Sequence, residues 1–334
     1  MTLPPRAEGP LRVVIDTDTA NEIDDQFALA WALLSPEQLH VEAVHAAPFC
    51  HGHYFEAIDA AAERRGGDRT PMEALASHVG PERRARMRSQ RSPADGERAS
   101  RDEIHRLLAV MDLPAPPPVF AGSDRFMTAP DDIVESDAAH NLIALAHGND
   151  GPLYVPIIGA PTNVAASLLI DPTIAEKVVL VFLAGYPSAA PHADDSFNLV
   201  QDRFATNVLF ESAAPLLYQP GYHVAEVLGL SLPDVETWVR GAGPLGDLLY
   251  QIYVDNPIDA DVTRPGRSWV IWDIIAIAWL LDPDWAPTHE TTRARVTDRH
   301  TWEPTGGWMH EAYRARRNDI FGDFVEKLAR HANG

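Results

Sequence analysis

Five carboxylates fall within ten residues near the start of the chain: Asp16, Asp18, Glu22, Asp24 and Asp25. They follow a short apolar run, Val13 to Ile15 with Leu11 just before it, that reads as a buried strand. They precede Phe27 to Leu34, which reads as a helix. The acids therefore sit at a strand's carboxyl end and a helix's start, where open α/β sheets place their ligand crevices. One or two such acids would cap free N–H groups and suit the helix dipole. Five, with Asp16 and Asp18 still inside the strand pattern, exceed capping. Crowded carboxylates repel one another unless a cation joins them, and an all-oxygen donor set suits Ca²⁺ or Mg²⁺.

Three later places carry residue types that fit the same chemistry. Gly159-Ala160-Pro161-Thr162-Asn163 joins an apolar strand to a helix, and a carbonyl or Thr hydroxyl there is a good hard-ion ligand. Asn198, in Asp194 to Asp202, offers donor and acceptor together, which suits sugar hydroxyls, although a plain polar turn has the same composition. Asp273 stands in an apolar run from Trp269 to Ala278, where it must cap a helix or face a cation, because an unpaired buried charge is costly.

The elements that position these groups alternate. Strands are expected at Val41 to Ala47, Val119 to Gly122, Leu153 to Gly159 and Val178 to Leu183. Helices are expected at Arg101 to Met111, Ala138 to His147 and Pro161 to Leu169, then at Val235 to Val239, Leu245 to Tyr253, Trp269 to Leu281 and Asn318 to Ala332, with a late strand near Ala294 to Thr297. Such alternation is the signature of a mostly parallel sheet covered by helices. No linker divides two cores, so residues 11–332 read as one domain. An Arg-rich stretch at about 52–100, with a short helix around Phe55 to Arg64, reads as a surface insertion and a candidate lid.

Bulk composition narrows the function. With 27 Lys and Arg against 48 Asp and Glu, the formal charge is −21, which argues against a nucleic-acid partner. The single cysteine, Cys50, excludes an intrachain disulfide and thiolate metal clusters, and beside Phe49 it reads as packing rather than a nucleophile. The N-terminus lacks a signal-peptide core, and no run of about eighteen apolar residues suggests a membrane span, so a soluble cytoplasmic protein is expected.

These four places, in this order, resemble the nucleoside hydrolase family, whose members cleave the N-glycosidic bond of nucleosides. The family's Asp-x-Asp-Pro-Gly-x-Asp-Asp turn stands here as Asp16 to Asp25, two residues longer and without Pro-Gly. Its Thr-Asn turn matches Thr162-Asn163, its Glu-Phe-Asn-x-x-x-Asp stretch matches Ser196 to Asp202, and its late Asp matches Asp273. The resemblance implies a single α/β domain with a Rossmann-like, mostly parallel central sheet flanked by helices. It implies Ca²⁺ held by Asp18, Asp25, the main-chain oxygen of Thr162 and Asp273, with Asp18 as general base. It places Asp24 and Asn198 on ribose hydroxyls and Asp16 behind the ligands, orienting the turn, with Asn21 a further candidate in that turn. It also suggests a homodimer or homotetramer.

The departures fall on recognition. Ser196 replaces the family's Glu for the sugar 5′-hydroxyl, and Trp272 replaces a His that many members use to protonate the leaving base. The family's Asn after the second strand has no clear match, and Pro48 to His53 occupies that region. His51 or His53 is a candidate substrate contact or acid there. The expected substrate is a nucleoside or related N-riboside.

Two other readings fit parts of the pattern. Val14 to Thr19 also matches the opening of haloacid-dehalogenase-like phosphatases, an Mg²⁺ chemistry that needs a later Lys; only Lys177 and Lys327 exist, and no Gly-Asp-x-x-x-Asp follows Lys177. A non-catalytic, Ca²⁺-stabilised sugar-binding homologue, altered at Ser196 and Trp272, is the other.

Overall fold

The structure is a computed structural model that describes residues 3–4, 6, 9–52, 85, 87–148, 151–193, 196–256, 258–259 and 261–334. Asp194, Asp195, His53, the helix expected around Phe55 to Arg64 and most of the Arg-rich stretch lie outside the described residues.

Three strands, β1 (Leu11–Thr17), β4 (Leu153–Ile158) and β5 (Val178–Ala184), are almost wholly buried on both faces, which is why they read as continuous apolar runs. With β2 (Leu39–Ala46), β3 (Val119–Phe120), β6 (Leu216–Pro220), β9 (Thr288–Val296) and β10 (Trp302–Ala312) they form one eight-stranded sheet, order β3-β2-β1-β4-β5-β6-β10-β9. Every pairing is parallel except the terminal β9–β10 hairpin. The chain runs outward from β1 to β3, then returns to pair β4 with the other edge of β1, so the topological switch lies between β1 and β4. Pro156, which has no N–H, falls where the β1–β4 ladder is interrupted between the Val13–Tyr154 and Asp16–Ile157 pairs. Two short strands, β7 (Gly229–Ser231) and β8 (Ser268–Val270), pair separately.

Side chains alternate across the sheet. Val179, Val181 and Leu183 join one apolar cluster, Val178, Leu180, Phe182 and Ala184 the other. The first cluster packs α1 (Asp24–Leu33), α2 (Pro93–Met111), α8 (Gly243–Val254), α9 (Ile274–Leu281) and α10 (Arg317–Asn333). The second packs α3 (Asp137–Gly148), α4 (Thr162–Ile170) and α6 (Arg203–Glu211). The short helices α5 (Phe197–Val200) and α7 (Leu232–Trp238) complete the described set. Among the described residues, no helix is long and apolar enough to cross a membrane.

Several expected boundaries move, two of them for clear reasons. The run Trp269 to Leu281 is not one helix: Trp269 and Val270 belong to β8, the Ile271 N–H donates to Leu228 O at 2.9 Å, and α9 begins only at Ile274. Apolar β-branched residues there satisfied either period. Helix α2 starts at Pro93, ahead of Arg101, because Ser92 and Asp95 form a capping box with Pro at the first turn. That helix lies hard against the segment after β2: a Cβ on Gly96 would come within 1.8 Å of Phe49 O. Gly96→Ala is expected to lose about 3 kcal/mol or more of stability in urea unfolding, whereas Gly148→Ala, with open space around it, should change stability by less than about 1 kcal/mol.

Candidate active site

The turn from β1 into α1 is held by hydrogen bonds that converge on its acids. Asp25 Oδ1 accepts from the Thr17 hydroxyl at 2.5 Å and from the Asp18 N–H at 3.1 Å. Gln26 Nε2 donates to Thr19 O at 2.5 Å, and the turn is tied to α2 through Thr19 Oγ1 to Ser100 O and Ser100 Oγ to Thr17 O. Asp24 and Asp25 occupy the first turn of α1, where the helix dipole favours negative charge. Gly159, after β4, lets that strand's end pass close by; a Cβ there would lie 2.8 Å from Ala47 Cβ and 3.2 Å from Asp18 Cγ.

From far along the chain, Asp273 reaches the same place as the N-cap of α9. Its N–H donates to Asp24 Oδ2 at 3.4 Å, across 249 residues of sequence. One carboxylate oxygen from each of Asp24, Asp25 and Asp273 lies within 4.8 Å of the others, and all three side chains are buried. The trio includes Asp24, expected on the sugar, and not Asp18, expected as a ligand; Asp18 is tied to it by its main-chain N–H on Asp25 Oδ1, and its charge adds to the repulsion on Asp273. Thr162 is fully buried at the start of α4, its hydroxyl donating to Asp202 Oδ2 at 2.8 Å. Asp202 in turn caps α6 through the Ala205 N–H and accepts the Met127 N–H, which fixes the turn carrying Thr162.

The other anticipated residues divide between the cavity and its supports. Asp16 does not line the cavity; its Oδ1 accepts from Asn163 Nδ2 at 2.9 Å, and its charge adds to the repulsion on Asp18. Asn163 is itself held by Ser123 and donates to Ala46 O, a bracing role with no local signal beyond its place in the turn. Asn21 Nδ2 donates to Asp18 Oδ2 at 3.4 Å and its Oδ1 accepts from His51 Nε2 at 3.1 Å, so buried His51 stands one residue behind Asp18. Cys50 is half-buried with its thiol pushed up by burial, in keeping with packing.

The acids open onto a cavity of about 960 Å³ at the carboxyl end of the sheet. Asp18, Asn21, Asp24, Asp25 and Asp273 line it, together with Ser196 and Asn198 at α5 and Trp272, the neighbour of Asp273. An aromatic train continues from Trp272: Tyr222 meets it edge-on at 5.5 Å, Tyr186 stacks on Tyr222 at 4.4 Å, and His192 sits edge-on to Tyr186 at 5.7 Å. Glu22, Tyr186, His192, Tyr222 and the β9–β10 hairpin residues Arg299, His300 and Thr301 also line it. Of these, sequence reading pointed to Glu22 alone. The residues after β5 and β6 could have been flagged by the rule that strand ends carry the crevice, but β6 was not recognised as a strand. Neither Lys177 nor Lys327 lines the cavity, and Lys327 pairs with Asp323 at 2.7 Å on α10.

Electrostatically the acids are under strain. Burial, reinforced by the neighbouring carboxylates, pushes Asp18, Asp24 and Asp273 well above the usual range. Burial also raises Asp16 and Glu22 to about 7, while Asp25 rises to about 6, tempered by the Thr17 hydroxyl. This set of buried oxygens, repelling one another with no other ligand type among them, fits a hard divalent cation.

A doubly wound sheet with an acidic crevice at its switch point thus defines the class of the chain. The family model described as inosine-uridine preferring nucleoside hydrolase matches residues 13–319. Among solved structures, the purine-preferring ribonucleoside hydrolase of Gardnerella vaginalis aligns with a TM-score of 0.63 at 18% identity, over 96% of this chain and 99% of that one. The inosine-uridine preferring nucleoside hydrolase of Bacillus anthracis aligns at 0.59 and 16%, and a plant nucleoside hydrolase at 0.59 and 20%, each over 96% and 99% of the two chains. No curated protein sequence matches the chain. The chain belongs to the inosine-uridine preferring nucleoside hydrolase family, and with it to the hydrolases of N-glycosyl compounds.

The raised carboxylates set a pH dependence. A group bound more tightly to its proton when folded contributes stability below its unfolded value, near 4 here, and loses it as pH rises through the folded value. In chelator, the melting temperature is therefore expected to fall from about pH 4 to beyond about pH 7, and millimolar Ca²⁺ should raise it more at pH 8 than at pH 5. A flat profile in both conditions, followed by differential scanning fluorimetry, would show that the acids do not repel one another as the geometry implies.

Proposed function

We propose that the chain hydrolyses the N-glycosidic bond of a ribonucleoside or related N-riboside with the help of Ca²⁺. The observation that carries this reading is the convergence of Asp24, Asp25 and Asp273 within 4.8 Å, with Asp18 beside them, its main-chain N–H on Asp25. Asp18, Asp25, Asp273 and the main-chain oxygen of Thr162 would hold the ion. When bound, it offsets the carboxylates' mutual repulsion and supplies the acidification of water that divalent ions give.

The remaining steps belong to the side chains. Asp18, whose Oδ2 is steadied by Asn21, takes the proton of the attacking water. Asp24 and Asn198 hold the ribose hydroxyls, which fixes the anomeric carbon before the acids. The ribosyl group gains positive charge as its bond to the base breaks, and the surrounding carboxylates favour that charge. Trp272, Tyr222 and Tyr186 offer flat apolar faces to a planar base and exclude water around it.

A panel of purine, pyrimidine and nicotinamide ribosides, scored for reducing-sugar release with and without chelator, tests the reading. At least one riboside should be cleaved, and chelator should stop it. Binding of ribose with no cleavage of any riboside would favour a sugar-binding homologue instead. Asp18→Asn is expected to keep less than about a tenth of the wild-type rate. The same change removes one buried negative charge, so in chelator near pH 8 the variant should melt above the wild type. A variant that turns over at more than a tenth of the normal rate removes Asp18 from the role of base.

A further inference from the structure

The β9–β10 hairpin is the feature of the cavity that the hydrolytic reading leaves unused. Its tip is a closed turn: Thr297 N–H donates to Thr301 O at 3.0 Å, His300 N–H to Thr297 O at 3.0 Å, and the two threonine hydroxyls meet at 2.8 Å. His300 takes a left-handed backbone, φ 57°, to make it. The tip is fastened to the loop ahead of α5, where the Ala193 N–H donates to His300 O at 2.9 Å, and Asp298 pairs with Arg203 at 2.6 Å on α6. Arg299 and Thr301 are thereby carried from the far edge of the sheet to the cavity that Ser196 also lines.

The charge of Arg299 is opposite to that of the acids there. Asp18, Glu22, Asp24, Asp25 and Asp273 line the cavity, and among the described residues Arg299 is the one arginine or lysine that does. A guanidinium here does nothing for a developing positive charge on the sugar and opposes retention of a cation, so its use lies with an anion on the substrate. Ser196 agrees with that. It immediately precedes Phe197 and Asn198, at the end of the cavity assigned above to the sugar, and its hydroxyl donates to an anion where a carboxylate would repel one.

We propose that the preferred substrate carries a phosphate on the ribose 5′-oxygen, a nucleoside 5′-monophosphate, held by the Arg299 guanidinium with the Ser196 and Thr301 hydroxyls. Arginine's planar fork matches phosphate oxygens in pairs and stays charged at any working pH. The inference rests on the hydrolytic reading for the placement of the sugar. In the reaction, the bond from the anomeric carbon to the base nitrogen breaks and a bond to water oxygen forms. One water proton passes to Asp18 and then to the base, giving free base and ribose 5-phosphate. The phosphate ester is untouched.

Calorimetric titration of ribose 5-phosphate and of ribose into the Ca²⁺-loaded protein tests the phosphate contact without any turnover. Ribose 5-phosphate should bind at least about tenfold more tightly than ribose, and Arg299→Gln should cut that ratio to below about threefold. Ser196→Glu should reduce the ratio in the same direction. Equal affinities in the wild type, or a ratio that Arg299→Gln leaves intact, would overturn the proposal. Rates on inosine and inosine 5′-monophosphate, and on uridine and orotidine, separate the outcomes. Cleavage of inosine with no gain for its 5′-monophosphate sinks the phosphate site and leaves the hydrolase. Phosphate-dependent binding with no cleavage sinks the hydrolase and leaves the site. An Arg299-dependent preference for orotidine, with none for ribose 5-phosphate, places the anion on the base and overturns the proposal.

Discussion

Like charges buried together govern this structure. In a low-dielectric interior two carboxylates repel each other several times more strongly than in water, and each also loses hydration. The fold nonetheless packs Asp18, Asp24, Asp25 and Asp273 at one spot, all of them buried. Neutral donors soften the crowding: the Thr17 hydroxyl and the Asp18 N–H on Asp25, the Asn163 amide on Asp16. None of these donors carries a charge, so they orient the oxygens without neutralising them. The arrangement is held against its own repulsion by the packed sheet below, and a cation is the partner that relieves it.

The rigidity needed for that comes from the switch point. The acids that follow β1 sit between β2 and β4, whose chains leave the sheet in opposite directions and open a crevice. Gly159 keeps β4's exit close to Asp18, α2 clamps the turn through Ser100, and α9, buried along its whole length, brings Asp273 in from above. Around this fixed floor the walls differ in character. Stacked tyrosines and Trp272 make one apolar, while a hairpin from the sheet's far edge makes another polar and basic. On the proposed reading, binding specificity would be carried by loops, and the chemistry by the acids gathered at the strand ends.

How much of this was legible depended on the kind of residue. Continuous apolar strands such as β4 and β5 announced themselves, because burial on both faces removes any polar alternation. Strand β10 escaped notice. It is largely exposed at its start, and Gly306 and Gly307, both at positive φ, break its register with β9 between Pro304 and Trp308. Strand β6 ends in Pro220, and its five residues offered too short a pattern. The helix expected from Trp269 failed for a tertiary reason: β8 pairs with β7, and that pairing outweighs the local preference of the run. The Ser92-Pro93-Ala94-Asp95 cap was readable but was overshadowed by the arginines before it.

The opening carboxylates, their place at a strand's end and the need for a counter-charge followed from residue types and spacing alone, because electrostatic repulsion depends on chemistry and proximity along the chain. So did the parallel sheet, since buried strands and amphipathic helices leave periodic traces. Which distant groups complete the site was decided only in three dimensions. Asp273 lies 249 residues from Asp24, Asn163 turned to brace Asp16, and Arg299 arrived on a hairpin from the opposite edge. No local pattern encodes such meetings, because they are set by the order in which strands join the sheet and by the packing of helices over it.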